Sequence, residues 1–422
     1  MPVSDVGSPV GVRVLVDCLA LGRYNGCVPA LTVPEARRIV ENQVLAHRLR
    51  PAEEDLPLDQ AAGRVLARDA VADRNYPPLP RSVRDGFAVR AVDVPGRLRV
   101  AGEVRAGERY SGRVEAGECV EIMTGAPVPD GADAIIMVEH TTRDGEFMLT
   151  DRSAAVGDFI NPVGAEATAG DCLIAAGQRL DYARVALLAM AGIPSVRAFA
   201  RPAVAILATG DEIVEVHEAV ADHQIRNSNA YSLAVQVRRA GGLPTILPVA
   251  RDTVEDTTRL VECGLDADLL LLSGGVSAGK YDVVETVLAN LGGEFFFDRV
   301  LIQPGQPLVF GRARGRFFFG LPGNPASTMV TFEVFARAAL ELLAGQTESR
   351  LVLTRARLTR DLRHRAGLTR FLPAWVEEGE LTPIPWAGSG DIAALARSNA
   401  FLVAEPDRPE YRAGDEIKVL LR

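Results

Sequence analysis

The stretch Val204-Ala205-Ile206-Leu207-Ala208-Thr209-Gly210-Asp211-Glu212 decides the fold. An unbroken apolar run of strand length passes directly into small, polar and acidic residues, the pattern of a strand buried on both faces that ends in a site-bearing loop. Outward from it, strand and helix signals alternate. A helix lies around Ser228 to Ala240, a strand at Thr245 to Val249, a helix at Val254 to Cys263 and a strand at Asp268 to Leu272. A helix at Val283 to Leu291, a strand near Phe317 to Phe319 and a helix from Pro325 complete the series. Such alternation predicts a mostly parallel sheet covered by helices on both faces, a three-layer α/β domain over residues 201–347.

A chain of 422 residues is too long for a single core, so further domains are expected on either side. From Thr32 to about Leu66 apolar residues recur at helical spacing with Pro34 in the first turn, and Asp181 is placed to cap a helix from Tyr182 to Ala191. Residues 31–70 and 163–200 therefore read as one discontinuous helical and mixed domain. Between them, 71–162 is rich in Gly and Pro with short apolar runs such as Ala134 to Val138, a β-rich insertion. Short strands and turns over 348–422 predict a small C-terminal β barrel. The first 30 residues read as an extension without a stable fold; the apolar stretch Val10 to Ala20 is interrupted by Asp17, and no cleavage site follows.

Composition narrows the function. The chain is 48% hydrophobic and 24% charged, ordinary globular usage, and its net charge of -9 excludes a broad nucleic-acid surface while allowing a local pocket for a phosphorylated small molecule. Five cysteines with no CxxC pair argue against a disulfide framework and a thiolate zinc site, and point to a reducing, cytoplasmic compartment. No apolar run approaches the roughly 20 residues needed to span a bilayer. The five histidines show no HExxH spacing, so a metal here would be a hard cation held by carboxylates and phosphate oxygens, magnesium by default.

In an open parallel sheet, ligands bind beyond the carboxyl ends of the strands, where loops and helix N-termini present unpaired N–H groups. Those ends carry Thr209-Gly210-Asp211-Glu212, Arg251-Asp252, Ser273-Gly274-Gly275-Val276-Ser277-Ala278-Gly279-Lys280-Tyr281-Asp282 and Pro322-Gly323-Asn324-Pro325-Ala326-Ser327. Glycines allow the backbone to approach an anion, whereas Asp211, Glu212, Asp252 and Asp282 would repel it unless a divalent cation lay between. Each feature has a plainer meaning: Asn324-Pro325 suits any helix start, and a lone loop aspartate commonly caps or turns. Gly274 to Lys280 also spells a P-loop, but Tyr281 stands where that loop needs Ser or Thr for magnesium. No GxGxxG follows any of these strands, which disfavours a dinucleotide fold.

Five motifs resemble the molybdopterin molybdenumtransferases, the family of bacterial MoeA and the gephyrin E domain. They are Ser82-Val83-Arg84-Asp85-Gly86-Phe87-Ala88-Val89, Met123-Thr124-Gly125-Ala126-Pro127-Val128-Pro129, Thr209-Gly210-Asp211-Glu212, Ser273-Gly274-Gly275-Val276-Ser277 and Leu321-Pro322-Gly323-Asn324-Pro325. Together they are specific, and the likeness extends from about residue 31 to the C-terminus. The resemblance implies a four-domain protomer and a homodimer that acts on adenylylated molybdopterin and molybdate, with magnesium assisting cleavage of the anhydride and AMP leaving. A molybdopterin adenylyltransferase and apo-molybdoenzymes are further partners it implies.

By position in those motifs, Asp252 and Asp282 resemble metal- and phosphate-proximal carboxylates and Glu212 the family's acidic residue in hydrolysis, so these three form the expected metal set. Asp85 and Thr124 would come from the β-rich domain across the dimer. Thr209, Gly210, Asp211, Ser273, Gly274, Gly275, Ser277, Lys280, Pro322, Gly323, Asn324 and Pro325 would bind substrate, and Ser327 and Ser389 resemble positions near an oxyanion pocket.

The departures bear on chemistry. Family members commonly carry lysine in a K-P-G-K-P loop, and this chain reads Gln303-Pro304-Gly305-Gln306-Pro307. An amide donates a hydrogen bond but lacks the ion-pair attraction, so molybdate should bind more weakly or elsewhere, and a catalytic transferase would draw the lost positive charge from Lys280, Arg251 or Arg370. Leu368 replaces an arginine, Asn227 stands where aspartate is frequent, and Glu166 replaces a usual aspartate. A noncatalytic paralogue that carries molybdopterin or the finished cofactor is the alternative these glutamines favour.

Overall fold

The computed structural model describes residues 30–274 and 283–422. They form two compact units, one from the residues up to Glu54 with Gly63–Val65 and Phe199–Arg422, the other from Asp55–Ala62 and Leu66–Ala198.

In the first unit a six-stranded sheet has the order Leu243–Ile246, Ala203–Ala208, Leu269–Ser273, Arg316–Leu321, Pro307–Ala313, Glu294–Arg299. The first four run parallel, and the last two extend the sheet as antiparallel neighbours. Leu269 to Leu272 are fully buried because the sheet is covered on both faces. Val204, Ile206, Leu269 and Leu271 face the helices Val33–His47, Ser228–Ala240 and the long helical run from Pro325 to Leu343. Ala205, Leu207, Leu270 and Leu272 face Val254–Gly264 and Val283–Asn290. The expected three-layer α/β architecture is present. The strands Glu294–Arg299 and Pro307–Ala313 were not expected; they close the sheet edge with aromatic packing, Phe310 stacking on Phe319 at 4.6 Å and on Phe317 at 5.8 Å. The strand expected at Thr245 to Val249 begins earlier, at Leu243, because the left-handed Gly241 ends the preceding helix and turns the chain straight into parallel pairing with Ala203.

The helix Val33–His47 starts at a capping box in which the Thr32 N–H donates to Glu35 at 2.9 Å. Val33, Ala36, Val40 and Val44 enter the α/β core, so this helix does not pack with residues 163–200 as anticipated. Its apolar stripe has a large ready-made face to cover in the first unit, and that burial decides its place. Towards the C-terminus, Thr369–Glu377, Glu380–Pro383, Thr354–Leu358, Glu416–Leu421 and Ala400–Ala404 pair in a ring, the last returning to the first, which closes the expected barrel. Ile302–Gln303 adds a parallel edge to the barrel strand at Thr369 and Arg370.

The second unit holds a six-stranded sheet in the order Ala134–Met137, Gly86–Val89, Glu118–Ile122, Gly96–Val104, Phe147–Thr150, Thr142–Asp144. Beside it, Ala70–Val71 pairs with Cys172–Ile174, and Asp181 caps Tyr182–Met190 by accepting the Arg184 N–H at 2.8 Å. Among the described residues no helix is long and apolar enough to cross a membrane.

Candidate functional site

The carboxyl ends of the parallel strands converge as the sheet topology requires. Ala203–Ala208 runs into Thr209, whose N–H donates to the Ser273 carbonyl at 3.1 Å, and the Gly210 N–H donates to Ala250 at 3.2 Å. Gly274, after Leu269–Ser273, donates to the Leu321 carbonyl at 3.3 Å. Glycine is required here: Gly274 has φ +94°, and a Cβ on it would lie 2.6 Å from the Thr209 carbonyl oxygen. Gly323 comes close on the other side, its missing Cβ 3.6 Å from the Gly274 Cα.

An open cavity of about 670 Å³ occupies this edge. Of the expected residues, Thr209, Gly210, Glu212, Asp252, Ser273, Gly274, Pro322, Gly323, Asn324 and Pro325 line it. Asp211 is exposed and does not line the cavity; its carboxylate accepts the Asp252 N–H at 3.4 Å and ties the two loops together. Gly275, Ser277, Lys280 and Asp282 lie outside the described residues. Glu212 folds back over Gly210, so that a Cβ there would meet its carboxylate at 2.6 Å; the absent side chain is what makes room for the acid.

The cavity wall also holds Arg226, Asn227, Ser228, Asn229 and Thr257, which the sequence did not single out as a site. Asn227 caps the helix Ser228–Ala240 by accepting the Ala230 N–H, so the positive end of that helix opens into the cavity. A second helix start, at Pro325, joins it. Asn324 occupies the capping position there but makes no side-chain capping bond, which sets aside its plainer meaning as an ordinary cap. The signal for Asn227 to Asn229 was available: a polar segment opens the helix that follows the first strand, where the ligand crevice of an open α/β sheet forms.

The polar satisfaction of the cavity is incomplete. Among the described residues, Thr209 Oγ1, Asn227 Nδ2 and Asn229 Oδ1 are buried side-chain atoms without a hydrogen-bond partner, and all three residues line the cavity. Leaving a buried polar atom unpaired costs about 1–3 kcal/mol, so three around one hollow mark the contacts a ligand would make. Asn229 is held meanwhile by donating to Ser273 Oγ at 2.8 Å and to the Gly323 carbonyl at 2.7 Å.

Among the described residues no three His, Cys, Asp or Glu side chains converge on a metal position. Glu212 and Asp252 nevertheless share the cavity wall, and magnesium is commonly held by one or two carboxylates with phosphate oxygens and water completing its shell. The residues present fit such an ion.

The expected oxyanion residues gather next door. Gln303 lies opposite Arg370 in parallel register, and Arg370 Nε is buried without a partner among the described residues. Gly305 packs against the helix start, its missing Cβ 2.5 Å from Thr331 Cγ2 and 3.6 Å from the Ser327 carbonyl. Gln306 is exposed, with its carbonyl accepting the Val300 N–H at 3.0 Å, and the Ser389 carbonyl accepts the Ala326 N–H at 2.9 Å. Ser327 is buried. Pro307, which ends the glutamine loop, also lines the main cavity. Arg251 is exposed and outside the cavity wall, leaving Arg370 as the cation beside the glutamines among the described residues.

On the β-rich unit Asp85 accepts the Thr124 N–H at 2.6 Å and its hydroxyl at 2.8 Å. The backbone bond first, then the hydroxyl, holds the Asp85 carboxyl below the usual carboxylate range. These two expected residues form a pair.

Comparison with known proteins covers almost the whole described chain. Residues 31–192 match the MoeA N-terminal region (domain I and II), 205–342 a probable molybdopterin binding domain, and 355–421 the MoeA C-terminal region (domain IV). A molybdopterin molybdenumtransferase of Bacillus subtilis (strain 168) is 34% identical over 380 residues, covering 86% of this chain and 88% of that one. One from Staphylococcus epidermidis is 29% identical over 404 residues, covering 93% and 95%. The structure of a molybdopterin biosynthesis MoeA protein from Pyrococcus horikoshii OT3 superposes with a TM-score of 0.75 at 28% identity, over 93% of this chain and 100% of that one.

Proposed function

This chain belongs to the molybdopterin molybdenumtransferase (MoeA) family, transferases of molybdenum cofactor biosynthesis, and from that premise we propose that the cavity at the sheet edge binds adenylylated molybdopterin, cleaves its phosphate anhydride with magnesium, and releases AMP as molybdenum from molybdate is placed on the dithiolene. The observation that carries this reading is the meeting, in one cavity, of glycine-lined strand ends, two carboxylates and three unpaired buried polar atoms.

The residues divide the work by chemistry. Gly210, Gly274 and Gly323 let the backbone approach the phosphates, and the helix starts at Ser228 and Pro325 favour negative charge. Arg226 adds a cation on the wall. Glu212 and Asp252 would hold magnesium, which when bound neutralises charge developing on the phosphate oxygens. Arg370, beside Gln303, supplies the charge for molybdate that the glutamine loop lacks. Asp282, Lys280, Ser277 and Gly275 belong to this proposal on the motif alone.

The proposal includes a cytoplasmic homodimer in which a second subunit supplies Asp85 and Thr124. Purified protein given adenylylated molybdopterin, molybdate and magnesium should release AMP and yield pterin-bound molybdenum. AMP release that is absent at ordinary and raised molybdate, with pterin still bound, would favour the carrier reading that Gln303 and Gln306 suggest.

A further inference from the structure

The two asparagines in the cavity are held so that the atoms left without a partner among the described residues have opposite hydrogen-bonding character. Asn227 Oδ1 is committed to the Ala230 N–H at 3.2 Å, so the unpaired atom is its Nδ2, a donor. Asn229 Nδ2 is committed to the Gly323 carbonyl, which can only accept, so the unpaired atom there is Oδ1, an acceptor. Neither amide can be turned over without losing the bond that fixes it. Asn227 is only 2% exposed and Thr209, whose hydroxyl is also unpaired, 3%.

A metal ion cannot satisfy an N–H donor, and a carboxylate at position 227 would supply no donor at all. What satisfies the Asn227 amide is an oxygen acceptor, and the surroundings specify which kind: the positive end of the helix Ser228–Ala240, the Arg226 side of the wall, and close glycine backbone. We propose that Asn227 is an uncharged phosphate-binding residue, its Nδ2 donating to a phosphate oxygen of the ligand, and that it is not a metal ligand. This rests on the nucleotide reading given above and adds the ligand group that Asn227 recognises. The consequence is a division of the cavity, with the metal on the Glu212 and Asp252 side and a metal-independent phosphate contact at the start of the helix.

The test is calorimetric titration of the full chain with AMP and with adenosine, each in excess chelator and again in magnesium. Asn227→Asp and Asn227→Ser both keep an oxygen that can cap the helix, so both should fold, as circular dichroism will verify. AMP affinity in chelator should fall at least about tenfold in both, more in Asn227→Asp because it also adds repulsion, while adenosine binding stays unchanged. Lowering the pH should recover part of the Asn227→Asp loss as that carboxyl takes up a proton and becomes a donor. Unaltered AMP affinity in chelator for either variant, or an Asn227→Asp protein that binds AMP more tightly once magnesium is added than the unmodified chain does, overturns the proposal. Failure of the unmodified chain to bind AMP with or without magnesium would instead sink the nucleotide reading, and this inference with it.

Discussion

Gln303 stands directly opposite Arg370 across a parallel strand pair, with Ile302 opposite Thr369. The loop that lacks lysines is thus joined by main-chain pairing to the strand that carries an arginine, and the Arg370 Nε has no partner among the described residues. Replacing both Gln303 and Gln306 by Lys adds two charges beside that cation, and molybdate binding should tighten by at least about tenfold, roughly 1.4 kcal/mol. Arg370→Met should weaken it by a similar factor. Calorimetry that finds molybdate affinity unmoved in both proteins would put the oxyanion elsewhere.

Glu212 and Asp252 are exposed carboxylates that form no ion pair among the described residues, so their amides should fold normally. Glu212→Gln and Asp252→Asn are each expected to slow magnesium-dependent AMP release by about a hundredfold or more. Asp282→Asn, chosen on the motif, belongs to the same series. AMP release at the unmodified rate in any of these removes that residue from the reaction.

The Asp85 and Thr124 pair makes a prediction about pH. Because the folded carboxyl titrates below its ordinary value, the contact is complete above that value and is lost as pH falls through the lowered one. Thr124→Ala removes the hydroxyl's share and keeps the larger backbone share. The Asp85 midpoint, followed by carbon-detected NMR, should therefore rise only part of the way to the usual range. A full return would mean that the backbone bond depends on the hydroxyl.

Burial pushes the Cys119 thiol up to about 12, whereas Cys172 and Cys263 are exposed. At pH 8 the thiolate fraction of Cys119 is on the order of 0.0001. Iodoacetamide followed by peptide mass spectrometry should label Cys172 and Cys263 and spare Cys119 until denaturant is added. Labelling of Cys119 at the pace of Cys172 would show that the sheet of the β-rich unit opens readily.

Much of the molecule could be read from its residues because local pattern and global burial agree. Ala203–Ala208 and Leu269 to Leu272 are apolar throughout since both faces of their sheet are covered, and Asp181 and Thr32 cap the helices that follow them. The antiparallel strands Glu294–Arg299 and Pro307–Ala313 escaped notice because their phenylalanines serve both faces, which erases alternation. The placement of the helix Val33–His47 depends on a tertiary choice that no single segment encodes. In the cavity, acids and glycines advertise themselves, whereas Asn227 and Asn229 become conspicuous only when the partner of each amide atom is known. Arg226 was hidden for a related reason: its role comes from lying on the wall, and its residue type does not set it apart from the many other arginines of the chain.

In the proposed function a phosphate anhydride is held at the carboxyl edge of the α/β sheet between the glycine turns and the Glu212 and Asp252 carboxylates. A crystal structure of the protein with AMP, magnesium and molybdate tests it most directly. The AMP phosphate is expected against Gly210, Gly274 and Gly323, the cation on Glu212 and Asp252, and the oxyanion beside Arg370. Nucleotide bound away from this edge, with both carboxylates turned to solvent and no cation on either, would contradict it.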